Sequence, residues 1–444
     1  MNAGSGQPKS FWLAELLNLC RKKQRKYFYY ILESNIRSLY DGDKGGDLMY
    51  RTLKTGLTAS QPTLQHLFRI RRICGTIWND CVQLARYYYR IHGGWIHQSE
   101  LQSELKGLYP LHSQTIQAVC HKFLRARDGV RKARKTNPSI RYPYKEKFVF
   151  HPKWVDQSFV LEGRKLILSL GRWKGKQQTP LVLTLASVPN GVVKEVELVY
   201  DGRWHACLSY EDGVQPVPVQ DGQTAAIDPG EIHTIAALCT NGQALVISGR
   251  KMRSIHRLRN KKVRELQILM SRCQKGSRKW RQYNRAKTYI LSKSERQLGD
   301  LLHKTTRTFV DWCVEQGVGH VALGDVEGVQ RHTSKRNKHK KQVRSKKVNQ
   351  KLSNWSFGKV AAQLTYKLEA AGISLSKEKE AYTTQACPAC GKRNKVRSRN
   401  YRCSCGYEQH RDVHGAGNIL SQYLHGRFLE VMVTSITYLR PVQA

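Results

Sequence analysis

The sequence is poor in acid. Only 33 of its 444 residues are Asp or Glu, against 76 Lys or Arg, and the formal charge is +43. A folded chain with that field repels itself unless a polyanion neutralises it, so the shortage of carboxylates points to a nucleic-acid partner. The excess is spread along much of the chain. That suits a long groove around a duplex better than one small patch, and binding should weaken steeply with salt. Long apolar runs are also missing: nothing approaches the roughly 20 residues of a membrane span, so no membrane partner is expected. The apolar run at 11–20 holds Glu15 and has no basic segment before it, unlike a secretory leader. Paired spacing is absent from eight of the twelve cysteines (Cys20, Cys74, Cys81, Cys120, Cys207, Cys239, Cys273 and Cys313). They read as buried thiols, and a reducing, cytoplasmic setting is expected.

What is present divides the chain into segments. Residues 1–48 read as an appendage ending in the linker DGDKGGD. A strand-like run, 50–57, opens the next unit (49–61). Residues 62–138 are helical by pattern, with Leu64, Leu67, Ile70, Ile73, Ile77, Val82 and Leu84 striped among arginines. Strands are expected over 139–221, at 147–150, 166–170, 181–185, 193–200 and 205–210, separated by Gly, Pro and Asn. Residues 222–380 open on TAAIDPG and an apolar hairpin, followed by a long charged helical stretch at 251–315 and a buried strand, GHVALGD, at 319–325. The segment 331–347 carries nine Lys or Arg in seventeen residues without apolar periodicity, which marks a basic loop. Its Lys335, Arg336, Lys338, Lys340, Lys341, Arg344, Lys346 and Lys347 are candidate phosphate contacts. Tyr87, Tyr88 and Tyr89, between Arg86 and Arg90, are either base-stacking or core aromatics. Residues 427–444 suggest no assignment beyond a C-terminal tail.

Cys387-Pro-Ala-Cys390-Gly and Cys403-Ser-Cys405-Gly lie twelve residues apart within 381–409. Two knuckle-like turns of this kind supply four soft ligands to one tetrahedral Zn²⁺, with no position left open for chemistry. Because the second half is CxC rather than CxxC, His410 is an alternative ligand. Asp228 ends an apolar strand in Ala-Ala-Ile-Asp-Pro-Gly. Asp412 opens a helix in His-Arg-Asp-Val-His-Gly-Ala-Gly-Asn-Ile, within 410–426. Each Asp could simply cap a turn or helix. As a pair they suit a two-metal Mg²⁺ phosphodiester site, which calls for a third carboxylate.

The run IDPG (227–230), the strand VALGD (321–325), YTTQACPACG (382–391) and HRDVHGAGNI (410–419), in that order, resemble the TnpB family of transposon-encoded relatives of compact type V CRISPR effectors. The resemblance covers about 49–425. It implies an α+β multidomain fold: a wedge β-barrel with a helical recognition insertion, then a RuvC-type RNase H-like α/β domain with an inserted zinc ribbon. It also implies a guide RNA, a double-stranded DNA target beside a short flanking motif, and cleavage with two Mg²⁺ ions.

One position departs from the family. Its second catalytic carboxylate is a Glu on the strand matching 321–325, and that place holds Gly324. Three readings follow. The protein binds without cutting; or Asp325 or Glu327 serves; or the Glu has moved, as in TnpB-like and Fanzor relatives. Glu369, 45 residues after Gly324, fits the third reading. In the helix expected at 355–371 it flanks the stripe Val360, Leu364, Leu368. Glu378 and Glu380 rank below it. Asp325 ranks low because adjacent strand residues point to opposite faces.

Overall fold

The structure, a computed structural model, describes residues 50–213, 215–219, 222–327, 329, 344–396 and 398–441. The expectations for 1–48, and for Lys335, Arg336, Lys338, Lys340 and Lys341, lie outside the described residues.

The first half is an antiparallel sheet built around a helical insertion. Its strands are β1 (Tyr50–Thr58), β2 (Lys153–Val155), β3 (Phe159–Glu162), β4 (Lys165–Leu168), β7 (Leu181–Leu185), β8 (Val192–Tyr200) and β9 (Trp204–Glu211), with a small hairpin of β5 (Arg172–Trp173) and β6 (Lys176–Gln177) at one side. The spatial order is β2-β8-β9-β1-β7-β4-β3. Its two edge strands are joined by only the short turn Asp156–Ser158, so the sheet curls until it nearly closes. Alternation gives the sheet one buried face: β7 buries Leu181, Leu183 and Leu185 and exposes the residues between. Trp154, Leu166, Leu168, Val196, Leu198 and Leu208 fill the interior.

The insertion is helical, as the arginine-flanked stripe predicts. Helix α1 (Gln61–His92) starts at Ser60, whose hydroxyl accepts from the Thr63 N–H, with proline in its first turn. Helices α2 (Gln98–Leu105) and α3 (Ser113–Arg134) complete it. The strand expected at 147–150 is not formed. That segment runs extended along α1: Asn79 Oδ1 accepts from Lys147 N–H and Asn79 Nδ2 donates to the Lys147 carbonyl. Its backbone groups are therefore satisfied by a helix rather than by a neighbouring strand.

The second half is a mixed sheet in the order β14-β13-β10-β11-β12-β17, from β10 (Gln223–Asp228), β11 (His233–Cys239), β12 (Gln243–Ser248), β13 (Val318–Asp325), β14 (Ser374–Lys379) and β17 (Ser435–Leu439). The first three strands form an antiparallel meander, and β13, β14 and β17 pair in parallel. Every residue of β11 is buried, as expected of a central strand covered on both faces. One face carries α5 (Arg278–Glu315) and α7 (Phe357–Ala370) over Ala225, Ile227, Val321 and Leu323. The other carries α8 (Arg411–His425) over Ala226, Ala236, Leu238 and Ala322. The charged stretch at 251–315 is two helices: α4 (Arg250–Ser271) turns at 272–277 into α5. Helix α6 (Lys346–Asn354) precedes α7. The tail, unassigned by sequence, supplies β17. A hairpin of β15 (Asn400–Arg402) and β16 (Glu408–His410) leads into α8.

Candidate active site

Asp228 is the last residue of β10, and two-residue alternation puts it on the face of Ala226, toward α8. The Gly415 backbone of α8 lies so close to it that a Cβ there would collide with Asp228 Oδ2. Asp412 sits in the first turn of α8 and reaches the same end of the sheet. Its Oδ2 lies 2.6 Å from His233 Nδ1 at the start of β11, and its Oδ1 lies 3.5 Å from Arg411 Nε.

The third carboxylate at this end is Glu380. Strand β13 pairs with β14 in the register Gly324–Glu378, so Gly324, Glu378 and Glu380 share a face. Just beyond β14 the chain turns through Tyr382, a non-glycine residue in the left-handed region (φ 66°), with Arg393 over its ring. Glu380 thereby folds back over β13. A Cβ added to Gly324 would collide with the Glu380 carboxylate. Glycine at 324 is what makes room for it.

The electrostatics divide the three carboxylates, with the counter-charges gathered at Asp412. Burial raises the Asp228 carboxyl well above the usual range, with further push from Glu380 and Asp412. Burial, then Asp325, raises Glu380 to about 7, and its Oε1 is buried without a hydrogen-bond partner among the described residues. Asp412 goes the other way. Burial pushes it up, but the His233 hydrogen bond and the charges of His233, Arg411 and His410 outweigh that and hold it low. Carboxylate oxygens, one of them without a partner, are the donors that a hard dication such as Mg²⁺ takes; as a set the three do not lie within 4.8 Å of one another.

The structure does not bring Glu369 to this cluster. It is exposed on α7, and α7 packs on the Ile227 face of the sheet, opposite the face that carries Asp228 and α8. Asp325 is exposed and accepts from the Glu327 N–H, which ends β13. Glu327 is exposed as well.

Cys387, Cys390, Cys403 and Cys405 do come together, their sulfurs all within 4.8 Å of one another. Cys387–Cys405 and Cys390–Cys403 are each 3.6 Å apart, close to the roughly 3.8 Å that four Zn–S bonds of about 2.3 Å impose. The Cys405 N–H points at the Cys403 sulfur and lowers its pKa. His410 is not part of this set; it groups with His233 and Asp412. The cysteine module is docked on α8 by Asn418, which donates to the Thr383 and Ala386 carbonyls, and by His414, stacked on Tyr401 at 3.9 Å.

Of the basic residues, Lys346 and Lys347 are exposed, and Arg344 donates to the Val329 carbonyl. Tyr87 and Tyr89 are about half exposed, whereas the Tyr88 hydroxyl bonds to Glu100. No helix among the described residues is long and apolar enough to cross a membrane.

A family profile described as "Cas12f1-like, TNB domain" matches residues 357–419, and one described as "Probable transposase" (OrfB_IS605) matches 207–330. The chain is 28% identical over 121 residues to "CRISPR-associated endodeoxyribonuclease Cas12f1" of Sulfoacidibacillus thermotolerans, covering 26% of this chain and 25% of that protein. It is 26% identical over 240 residues to "Putative RNA-guided DNA endonuclease InsQ" of Escherichia coli (strain K12), covering 52% of this chain and 57% of that protein. Both alignments thus span less than two thirds of the relative's own length. A solved Cas12f1–sgRNA–target DNA complex shares the fold, with a TM-score of 0.60 at 15% identity over 81% of this chain and 83% of that one.

Proposed function

We propose that this chain, a relative of the TnpB and Cas12f1 proteins, is an RNA-guided DNA endonuclease whose catalytic carboxylates are Asp228, Glu380 and Asp412. The observation that carries the reading is the Glu380 carboxylate lodged over Gly324, beside Asp228 and on the α8 side of the sheet. Strands β10 to β14 support an RNase H-like reading of the domain: an antiparallel meander extended on its β10 side by the parallel strands β13 and then β14, with acids where β10 and β14 end. When bound, Mg²⁺ would activate water and hold the leaving oxygen of a phosphodiester.

The protein's own groups prepare that site. Asp228 and Glu380, crowded and desolvated, gain most from a cation, because it relieves their mutual repulsion. His233 orients Asp412 and keeps it ionised. Arg399 and Arg411, both reaching solvent near Asp412, suit phosphate oxygens. Zn²⁺ in the four cysteines would be structural, fixing the segment between Glu380 and Asp412. Guide RNA and target DNA would lie against basic surface that includes Arg344, Lys346 and Lys347.

The test is cleavage by the ribonucleoprotein reconstituted with its guide RNA, on matched duplex DNA in Mg²⁺. The wild type should cut, and Asp228→Ala, Glu380→Ala and Asp412→Ala should bind target without cutting. A wild type that binds matched DNA and never cuts it would instead be a silent RNA-guided binder.

A further inference from the structure

Beside the oxygen cluster lies a second group of donors with different chemistry. His233 begins β11, His410 precedes α8 at the end of β16, and Asp412 follows in the first turn of α8. One nitrogen of each ring and one carboxylate oxygen all lie within 4.8 Å of one another. The two imidazole ring centroids lie 5.4 Å apart with their planes tilted by 47°, and the Tyr438 ring of β17 stands edge-on to His410 at 5.9 Å. The His233 and Asp412 side chains are only 11% and 16% exposed. His410 Nδ1 is buried without a hydrogen-bond partner among the described residues, a state that costs free energy until something meets it.

We propose that His233, His410 and Asp412 form a separate cation subsite that takes a divalent transition-metal ion, near the Asp228 and Glu380 carboxylates and sharing Asp412 with them. Two imidazole nitrogens and one carboxylate oxygen are a borderline-soft donor set. They favour Mn²⁺, Co²⁺, Ni²⁺ or Zn²⁺ over Mg²⁺, which prefers oxygen and sheds water reluctantly. Small side-chain rotations bring donors so spaced to the roughly 2.0–2.2 Å that such ions need. Two cations oppose an ion here: Arg399 Nη1 at 4.0 Å and Arg411 Nε at 3.5 Å from Asp412. Their side chains are 43% and 31% exposed, so both can swing to solvent or to a phosphate. The use of this ion rests on the nuclease reading; its binding does not.

A histidine that merely orients Asp412 would make the same 2.6 Å contact, so the experiment must separate the two roles. Mn²⁺ alone, without Mg²⁺ or nucleic acid, is titrated into the full chain with its cysteine zinc retained, and free Mn²⁺ is read by electron paramagnetic resonance. Wild type, His233→Ala, His410→Ala, His233→Gln, His410→Gln and Asp228→Ala are compared at equal zinc content and equal melting temperature. The wild type should bind one Mn²⁺ that each histidine variant binds at least about ten-fold more weakly. The glutamine variants discriminate most sharply, because glutamine can still donate to Asp412 but ligates poorly. Asp228→Ala should keep this ion. If the histidine variants bind Mn²⁺ as the wild type does, or if only Asp228→Ala loses it, the subsite is overturned. A wild type that binds Mn²⁺ through both histidines yet cuts no DNA would overturn the nuclease reading and leave the subsite standing.

Discussion

The Glu380 carboxylate stands in the volume above Gly324 that any side chain at 324 would need. The two positions therefore compete for one space. Gly324→Ala should expel Glu380 and lower cleavage, as should Glu380→Ala, each by about 100-fold or more, the scale on which charged catalytic groups act. Target binding should persist in both. Glu369→Ala, an exposed change on the far face of the sheet, should leave cleavage within about three-fold. Gel-based cleavage at saturating guide RNA reads all three, and full activity of Glu380→Ala would remove this residue from the site.

The raised Glu380 carboxyl makes a pH prediction of definite sign. In the folded chain it titrates near 7, and unfolded near 4.3. Between those values the folded state holds the proton more tightly. The contribution of Glu380 to the stability of the metal-free protein is therefore full below about pH 4 and lost as pH rises to about 7. Thermal melts of metal-free wild type and Glu380→Gln, compared from pH 4 to 8, should diverge by an amount on the order of 3–4 kcal/mol. Cleavage at limiting Mg²⁺ should move oppositely, rising with pH through about 7, because the ion requires the carboxylate.

Zinc removal should stop cleavage from a distance. The cysteines touch none of the three carboxylates, but their module fills the chain between Glu380 and Asp412 and docks on α8. Cys390→Ser or Cys405→Ser, or strong chelation, should release about one zinc per chain, expose 388–405 to protease, and lower cleavage together with the melting temperature. Zinc loss with unchanged cleavage would make the module irrelevant to the site.

Asn418 is the sharpest probe of that docking. Asn418→Ala strands the Thr383 and Ala386 carbonyls in a buried setting, at about 1–3 kcal/mol each. Denaturant unfolding should show a loss of about 2–6 kcal/mol. Asn418→Asp, which cannot donate when ionised, should cost at least as much.

Much of this architecture is legible in the sequence, because burial on one face leaves a period. Leu181, Leu183 and Leu185 announce a strand, and the arginine-flanked stripe from Leu64 announces α1. Asp228 stands out because a carboxylate between Ile227 and Pro229 has little reason to be there. Glu380 is not legible in that way. Its placement over Gly324 depends on which strand pairs with which, on the register Gly324–Glu378, and on the left-handed turn at Tyr382. Counting residues from Gly324 points to Glu369, and helical position alone says nothing about which face of the sheet a helix covers; α7 covers the face opposite α8. The alternation Lys377-Glu378-Lys379-Glu380 was the available signal: period two puts both acids on one face of a strand. The segment 147–150 misled for the converse reason. Phe150 packs on Trp78 of α1 while Phe148 stays exposed, and no described strand pairs with the segment.

The strand pairings also set a schedule for synthesis. Every strand of the curled sheet lies between Tyr50 and Glu211, so that half can fold once its own length has emerged. The other half waits. Gln243 pairs with Ser435, and the acids of the cluster come from 228, 380 and 412. At translation rates of roughly 5–20 residues per second, the roughly 200 residues between Glu211 and Asp412 take on the order of 10–40 s. A nascent chain therefore passes through a period in which the first half is complete and the site that would cut does not yet exist.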